Sequence, residues 1–344
     1  MYMSKDQKIF SPIINAAGLF RFLDAYSILR KCFGSKIVIL TYHRIGTNNN
    51  AWLYPPTSPS DFEKQMKYLK KTNKIISLNK LAEFIQKGTP LEEKIAVVTL
   101  DDGYKDNYLY AFPILKKYNI PATIFLVTGH INTGNLFWFD KVKNLIFNTK
   151  LKRFELDDLG VFPLNSIKDR LKSLFIITEK LKKISDEKKN IILEKLVNIF
   201  NVEIPHDLGR DVNLSWDEIK EMSEGGVEFG AHTVTHPILT RISLDQARFE
   251  ILQSKKDIEK RLNQSVNTFS YPNGTIEDFN NEIIEIVKNS GYSCAVTTIS
   301  IVNYSKINLY KLGRLFDPWS YNSFKFLSSG LYSDATNVLN RMKR

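Results

Sequence analysis

Two pairs of residues in this chain have the types and spacing for hydrolytic chemistry. The first is Asp101-Asp102, which follows the apolar run Ile95–Leu100 and precedes Gly103. That run is rich in β-branched residues and reads as a strand buried on both faces, as in a parallel sheet. Carboxylates at the end of such a strand are costly to desolvate without a cation or strong hydrogen bonds. Successive strand side chains point opposite ways, so the two acids are expected to have different roles. The plainer alternative is an acidic turn that caps the next helix. The second pair is His232 and His236, at the end of the apolar stretch that begins at Val227. Imidazole suits zinc-like metals, and a third ligand from Asp would leave a coordination position open. The same spacing occurs on zincin helices, but those carry Glu after the first His, and here Thr233 follows. Val234, Thr235 and Pro237 also disfavour a helix at this point. The ordinary alternative is two histidines packed in a loop.

The elements that must position these residues alternate between strand and helix. Lys36–Leu40 reads as the first core strand and leads to His43, and the polar stretch from Asn48 to Pro59 reads as a loop. Ser60-Asp61 caps a helix over Phe62–Lys71, and Leu78–Lys87 is a second helix ended by Gly88. Asp106 or Asn107 caps a helix running to about Tyr118, and Pro121–Val127 is another strand. From 137 to 200 the pattern turns helical, with helices over Ile167–Lys183 and Glu187–Phe200. Together with Trp138 and Phe139 these form an insertion that either walls the site or stands apart as a peripheral bundle. Ser215 to Glu218 opens a helix to about Glu224, and Ser243 caps a long one to Leu262. Val266–Tyr271 is a strand running into Pro272-Asn273-Gly274, followed by a helix over Glu277–Asn289. Ser293–Thr298 and Leu309–Phe316 are the last strands. About seven parallel strands with polar residues at their C-terminal ends predict an α/β fold, a (β/α) barrel with its site at that end. The expected divisions are an N-terminal helical segment (1–35), a first barrel part (36–136), a helical insertion (137–212) and a second barrel part (213–344).

Bulk properties narrow the class. The chain has 344 residues, 43% hydrophobic and 25% charged, as in a globular protein. Cys32 and Cys294 are its two cysteines, so no disulfide framework is indicated. No apolar run approaches the ~20 residues of a membrane-spanning helix. The N-terminus lacks a signal-peptide layout, so a cytoplasmic location is expected. Ile13–Phe33 reads either as a helix on a membrane surface or as one packed on the barrel; Asn15 and Asp24 blur its basic face and favour the latter. A net charge of +11 fits an anionic partner, but the lysines are spread along the chain and read better as a solvated surface. No nucleic-acid-binding module is recognisable.

The stretches Thr99-Leu100-Asp101-Asp102-Gly103 and His232-Thr233-Val234-Thr235-His236, in that order, resemble the motifs of the polysaccharide deacetylases, carbohydrate esterase family four. The resemblance covers roughly 36–318, with a poorly matching middle, and places the NodB homology region at about 93–344. It implies an irregular (β/α) barrel of about seven strands and a divalent metal, zinc expected, held by Asp102, His232 and His236. It also implies Asp101 as the base, a backbone N–H at Asn273 for the oxyanion, and an N-acetylated sugar or polysaccharide as substrate. Three departures stand out. Leu100 replaces Phe. The family's R-x-P-[YF]-G stretch reads Ser270-Tyr271-Pro272-Asn273-Gly274, so the Arg that holds the base is missing, and Arg314 at the end of the last strand is expected to substitute. The late L-x-H motif that supplies the general acid is absent, since no His follows His236. His43, which ends the first strand, is the expected replacement. The stretches Thr41–Arg44 and Ser270–Gly274 resemble a branch associated with surface-polysaccharide assembly. The expected reaction is removal of N-acetyl groups. One rival is hydrolysis of O-acetyl esters, which need no strong general acid. The other is a carbohydrate-binding relative without catalysis, which the intact Asp-Asp and His-His sets argue against.

Overall fold

The computed structural model describes residues 36–47, 56–91, 94–156, 160–304, 307–315 and 321–329. The expected N-terminal helix over Ile13–Phe33 lies outside them.

The chain runs β1 (Lys36–Tyr42), α1 (Pro59–Thr72), β2 (Lys74–Ile75), α2 (Leu78–Gln86), β3 (Ile95–Leu100), α3 (Phe112–Tyr118) and β4 (Ala122–Leu126). The insertion follows as α4 (Trp138–Asn148), the hairpin β5 (Arg153–Leu156) and β6 (Gly160–Pro163), α5 (Ile167–Leu181), α6 (Asp186–Phe200) and α7 (Leu208–Val212). The barrel then resumes with α8 (Trp216–Glu224), β7 (Glu228–Ala231), α9 (Leu244–Leu262), β8 (Thr268–Ser270), α10 (Asn281–Asn289), β9 (Cys294–Val296), β10 (Asn303–Tyr304) and α11 (Tyr321–Ser329).

The main sheet has the order β10-β1-β3-β4-β7-β8-β9, with β2 beside β3. Every pairing in it is parallel except β10 on β1. The segment 312–315 joins its two edges. Leu312 N–H donates to Ala295 O and Leu312 O accepts from Thr297 N–H, while Leu315 N–H donates to Ile39 O and Leu315 O accepts from Thr41 N–H. Six parallel strands and this link make the expected irregular barrel, and they leave β1 and β9 no bare edge over that stretch.

Strand alternation divides the core in two. Ile37, Ile39, Ile95, Val97, Phe125, Cys294, Val296 and Leu312 pack together inside the barrel. Val38, Leu40, Tyr42, Ala96, Val98, Leu100, Ile124 and Leu126 pack outward against the helices. Both faces are buried, which is why these strands are continuously apolar. Gly230 leaves room for the inward Phe125: a Cβ there would sit 2.5 Å from the ring. Leu78, Leu81 and Ala82 of α2 join the inner cluster. Asn79 also bonds Glu228 at the start of β7, and Gln86 bonds Ser293 just before β9. Thus α2 closes the N-terminal end of the barrel and leaves the C-terminal end open.

Several boundaries differ from the sequence reading for identifiable reasons. The cap of α1 is Ser58, whose Oγ accepts Asp61 N–H at 3.1 Å, because Pro59 fits the first helical turn. Asp106 does not cap α3; its carboxylate pairs with Arg44 and accepts Ile45 N–H, and a π-helical turn over Asn107–Ala111 precedes α3. The helix expected from Glu277 starts at Asn281, because Asp278 is bonded to Asn273 and Thr275. The expected strand over Leu309–Phe316 opens as a 3-10 turn, Leu309–Lys311. The β5–β6 hairpin and β10 were not foreseen. The hairpin packs with α4, α5 and α6 into a separate small core. Among the described residues, no helix is long and apolar enough to cross a membrane.

Candidate metal centre and active site

The candidate site residues converge at the open end of the barrel. β1 delivers His43, β3 delivers Asp101 and Asp102, β7 delivers His232 and His236, and β8 leads to Asn273. His43, Asp101, Asp102, His232, His236 and Asn273 all line one cleft of about 480 Å³.

Asp102, His232 and His236 each offer a ligand atom, all within 4.8 Å of one another. Asp102 Oδ1 lies 3.6 Å from His232 Nε2 and 3.5 Å from His236 Nε2. His232 Nδ1 is 2.7 Å from the Ser270 carbonyl oxygen. A carbonyl only accepts, so Nδ1 carries the proton and the Nε2 lone pair faces Asp102, the arrangement expected of a metal ligand. Burial pushes His232 down to about 4 and pushes His236 well below its ordinary value, the latter aided by the neighbouring His232. Both imidazoles are therefore neutral, as metal ligation requires. This donor set fits zinc and other first-row divalent ions.

The backbone here is strained. Asp102 has φ 76°, Thr233 φ 70° and His236 φ 60°. Every other non-glycine residue with positive φ among those described is Asn, which tolerates that region. The strain therefore falls on two of the three candidate ligands, Asp102 and His236, and on Thr233 between the histidines, where surrounding contacts must hold it. Glu250 of α9, 1% exposed, does so. Its carboxylate accepts Val234 N–H at 2.7 Å, Thr235 N–H at 2.9 Å and Thr235 Oγ1–H at 2.7 Å. Phe137 and Phe139 meet the His236 ring edge-on, each with centroids 5.7 Å away.

Asp101 continues the inward alternation of β3 and meets Arg314 inside the barrel mouth. Arg314 Nη1 donates to Asp101 Oδ1 at 2.7 Å and Nη2 to Oδ2 at 2.6 Å. Arg314 also donates to Thr99 Oγ1, Ser270 Oγ and the Thr297 carbonyl, and is 0% exposed. Burial alone would raise the Asp101 carboxyl, but the Arg314 guanidinium outweighs it and holds the group well below the usual carboxylate range.

His43 is half-buried and near enough to Asp101 and His232 to act on both electrostatically. Its carbonyl accepts from Asn107 Nδ2 at 2.9 Å. Asn273 has φ 60°, and its side chain donates to Asp278, which also accepts Thr275 N–H. The insertion walls the cleft: Trp138, Phe139 and Asp140 of α4 and Leu174, Thr178 and Glu179 of α5 line it.

Glu250 and Asp278 were missed in the sequence. Glu250 carried a signal, since it falls on the buried stripe Ala247, Glu250, Ile251, Ser254, Ile258 of α9. Asp278 carried none.

This chain is similar in sequence and fold to known proteins. A family model described as polysaccharide deacetylase matches residues 88–295. The YxkH protein of Bacillus subtilis strain 168, which carries a polysaccharide deacetylase name, is 23% identical over 265 residues, 77% of this chain and 65% of its own. A Staphylococcus aureus poly-β-1,6-N-acetyl-D-glucosamine N-deacetylase is 34% identical over 133 residues, 34% of this chain and 46% of its own. The chain thus spans two thirds or less of these relatives. Two solved structures share the fold. The Streptococcus pyogenes deacetylase PplD has a TM-score of 0.59 and 22% identity, covering 87% of this chain and 99% of its own. IcaB from Ammonifex degensii has a TM-score of 0.55 and 19% identity, covering 86% and 98%. The family match extends over more than half of the sequence and includes both carboxylates and both histidines, so the chain belongs to the polysaccharide deacetylase family.

Proposed function

We propose that this protein removes N-acetyl groups from an N-acetylated sugar or polysaccharide in a metal-dependent hydrolysis. The observation that carries the reading is the pairing, in one cleft, of a buried Asp-His-His set with a second aspartate held ionised by Arg314. The name of the S. aureus relative supports an N-acetylated glycan as substrate. Asp102, His232 and His236 hold the ion. A bound divalent ion would polarise the acetyl carbonyl and acidify the attacking water.

The chain's own groups do the rest. Asp101 accepts the proton of the water that adds to the acetyl carbon. Oδ2 accepts from both Arg314 and Ser270 Oγ, whereas Oδ1 accepts from Arg314 and keeps a second lone pair for that proton. Its low affinity for protons keeps it ionised at neutral pH, and position rather than basicity makes it effective. The Asn273 N–H donates to the developing oxyanion. His43 gives a proton to the nitrogen as the C–N bond breaks, so acetate and a free amine leave.

The substitution Asp101→Asn tests the division of labour. Asn is nearly isosteric but cannot take the proton, so the variant is expected to keep its metal and lose most turnover. Near-wild-type acetate release from metal-loaded Asp101→Asn protein would contradict the assignment.

A further inference from the structure

Most charged groups lining the cleft already have partners. Asp101 pairs with Arg314, Glu179 with Lys182 at 2.8 Å, and Arg44 with Asp106. Asp140 accepts from Tyr104, and Asp278 from Asn273 and Thr275. Two cations remain. Arg241, a few residues past His236 on the barrel rim, makes no ion pair among the described residues, and its Nε is buried without a hydrogen-bond acceptor there. Lys183, just past α5 on the insertion, is exposed and likewise without an ion-pair partner among the described residues. Against them stands Glu277, exposed at the cleft edge. Arg241 and Lys183 thus leave two positive charges on the cleft wall that no carboxylate of the described residues neutralises, which favours an anionic ligand.

We infer that the cleft takes an anionic glycan: a sugar chain with a carboxylate or phosphate next to the acetamido sugar, held by Arg241 and Lys183. Guanidinium is the side chain that matches both anions, through paired N–H donors. The inference rests on the deacetylase reading for where the acetamido group lies.

The test compares three probes: a hyaluronan tetrasaccharide (uronate carboxylates), an N-acetylglucosamine oligomer joined by phosphodiesters, and a neutral N-acetylglucosamine tetramer. Kd is measured by calorimetry on metal-loaded Asp101→Asn protein, and acetate release on the wild type. At low ionic strength at least one anionic probe is expected to bind about tenfold tighter than the neutral one, a preference that shrinks with salt. The two anionic arms identify which anion is read. Arg241→Ala and Lys183→Ala should each bring the ratio of anionic to neutral affinity toward one with metal content intact, and Arg241→Lys should retain part of it. Equal affinity for all three probes, or a preference that survives both alanine substitutions, overturns the subsite. If the affinity preference is present but no acetate is released, the subsite stands and deacetylation fails. Acetate release with equal affinities fails the subsite alone.

Discussion

Asp101 and Asp102 are neighbours in sequence but meet different surroundings, because strand alternation sends one into the barrel mouth and the other to the histidines. Asp101 depends on Arg314, so removing that cation leaves a buried carboxylate without its counter-charge. Arg314→Met is expected to cost ~3–5 kcal/mol at neutral pH, read by urea unfolding. The pH dependence has a definite sign. In the wild type the Asp101 pKa lies below its unfolded value, so the pair's stabilisation is present above that unfolded value, about 4, and is lost as pH falls. In Arg314→Met burial has no opposing cation and raises the pKa above the unfolded value. The deficit relative to wild type should therefore shrink as pH falls from 7 through the raised pKa; a constant deficit contradicts the account. His43 makes a separate prediction. His43→Ala should lower turnover on an N-acetyl substrate ~10²–10⁴-fold, the usual worth of a general acid. It should leave metal content intact and harm an activated ester much less. Equal losses on both substrates would instead mark a binding or structural role.

At the scale of elements, the candidate site residues sit on strand ends that were legible in sequence. Ile95–Leu100 was found to the residue, and the loop carrying His232 and His236 was placed directly after a strand. The caps at Ser215 and Ser243 also read correctly, because the cap side chains act locally. Apart from the Arg314–Asp101 pair, which the resemblance led us to expect, long-range pairings were illegible. The hairpin β5–β6 is two four-residue strands inside a helical stretch; Arg153-Phe154-Glu155-Leu156 alternates polar and apolar, too short a signal beside the helical pattern around it, and the apolar residues pack against α4, α5 and α6. The bond from Glu250 to the histidine loop likewise depends on how α9 docks. Its role can be measured. Glu250→Gln removes the charge that gathers two backbone N–H groups and a hydroxyl, and should weaken zinc binding ~10–100-fold in a chelator competition. Glu250→Ala should weaken it further with helix content retained. Unchanged zinc affinity in both variants would make Glu250 a purely structural residue.

The described residues form a barrel closed at one end by α2, open at the other, and walled at the open end by the insertion. The sequence left open whether that insertion shapes the site; α4 and α5 line the cleft, so it does. The strained Asp102, Thr233 and His236 are tolerable because a large, well-packed barrel surrounds them. The central claim is that this cleft cleaves an amide with a metal held by Asp102, His232 and His236. The most direct measurement is acetate released from an N-acetylglucosamine oligomer and from an O-acetylated oligosaccharide, by protein stripped with chelator and then reloaded with zinc. The account predicts acetate from the N-acetylated oligomer with zinc bound, loss on stripping, and recovery on reloading. Acetate release undiminished by stripping, or release from the O-acetylated substrate alone, would contradict it.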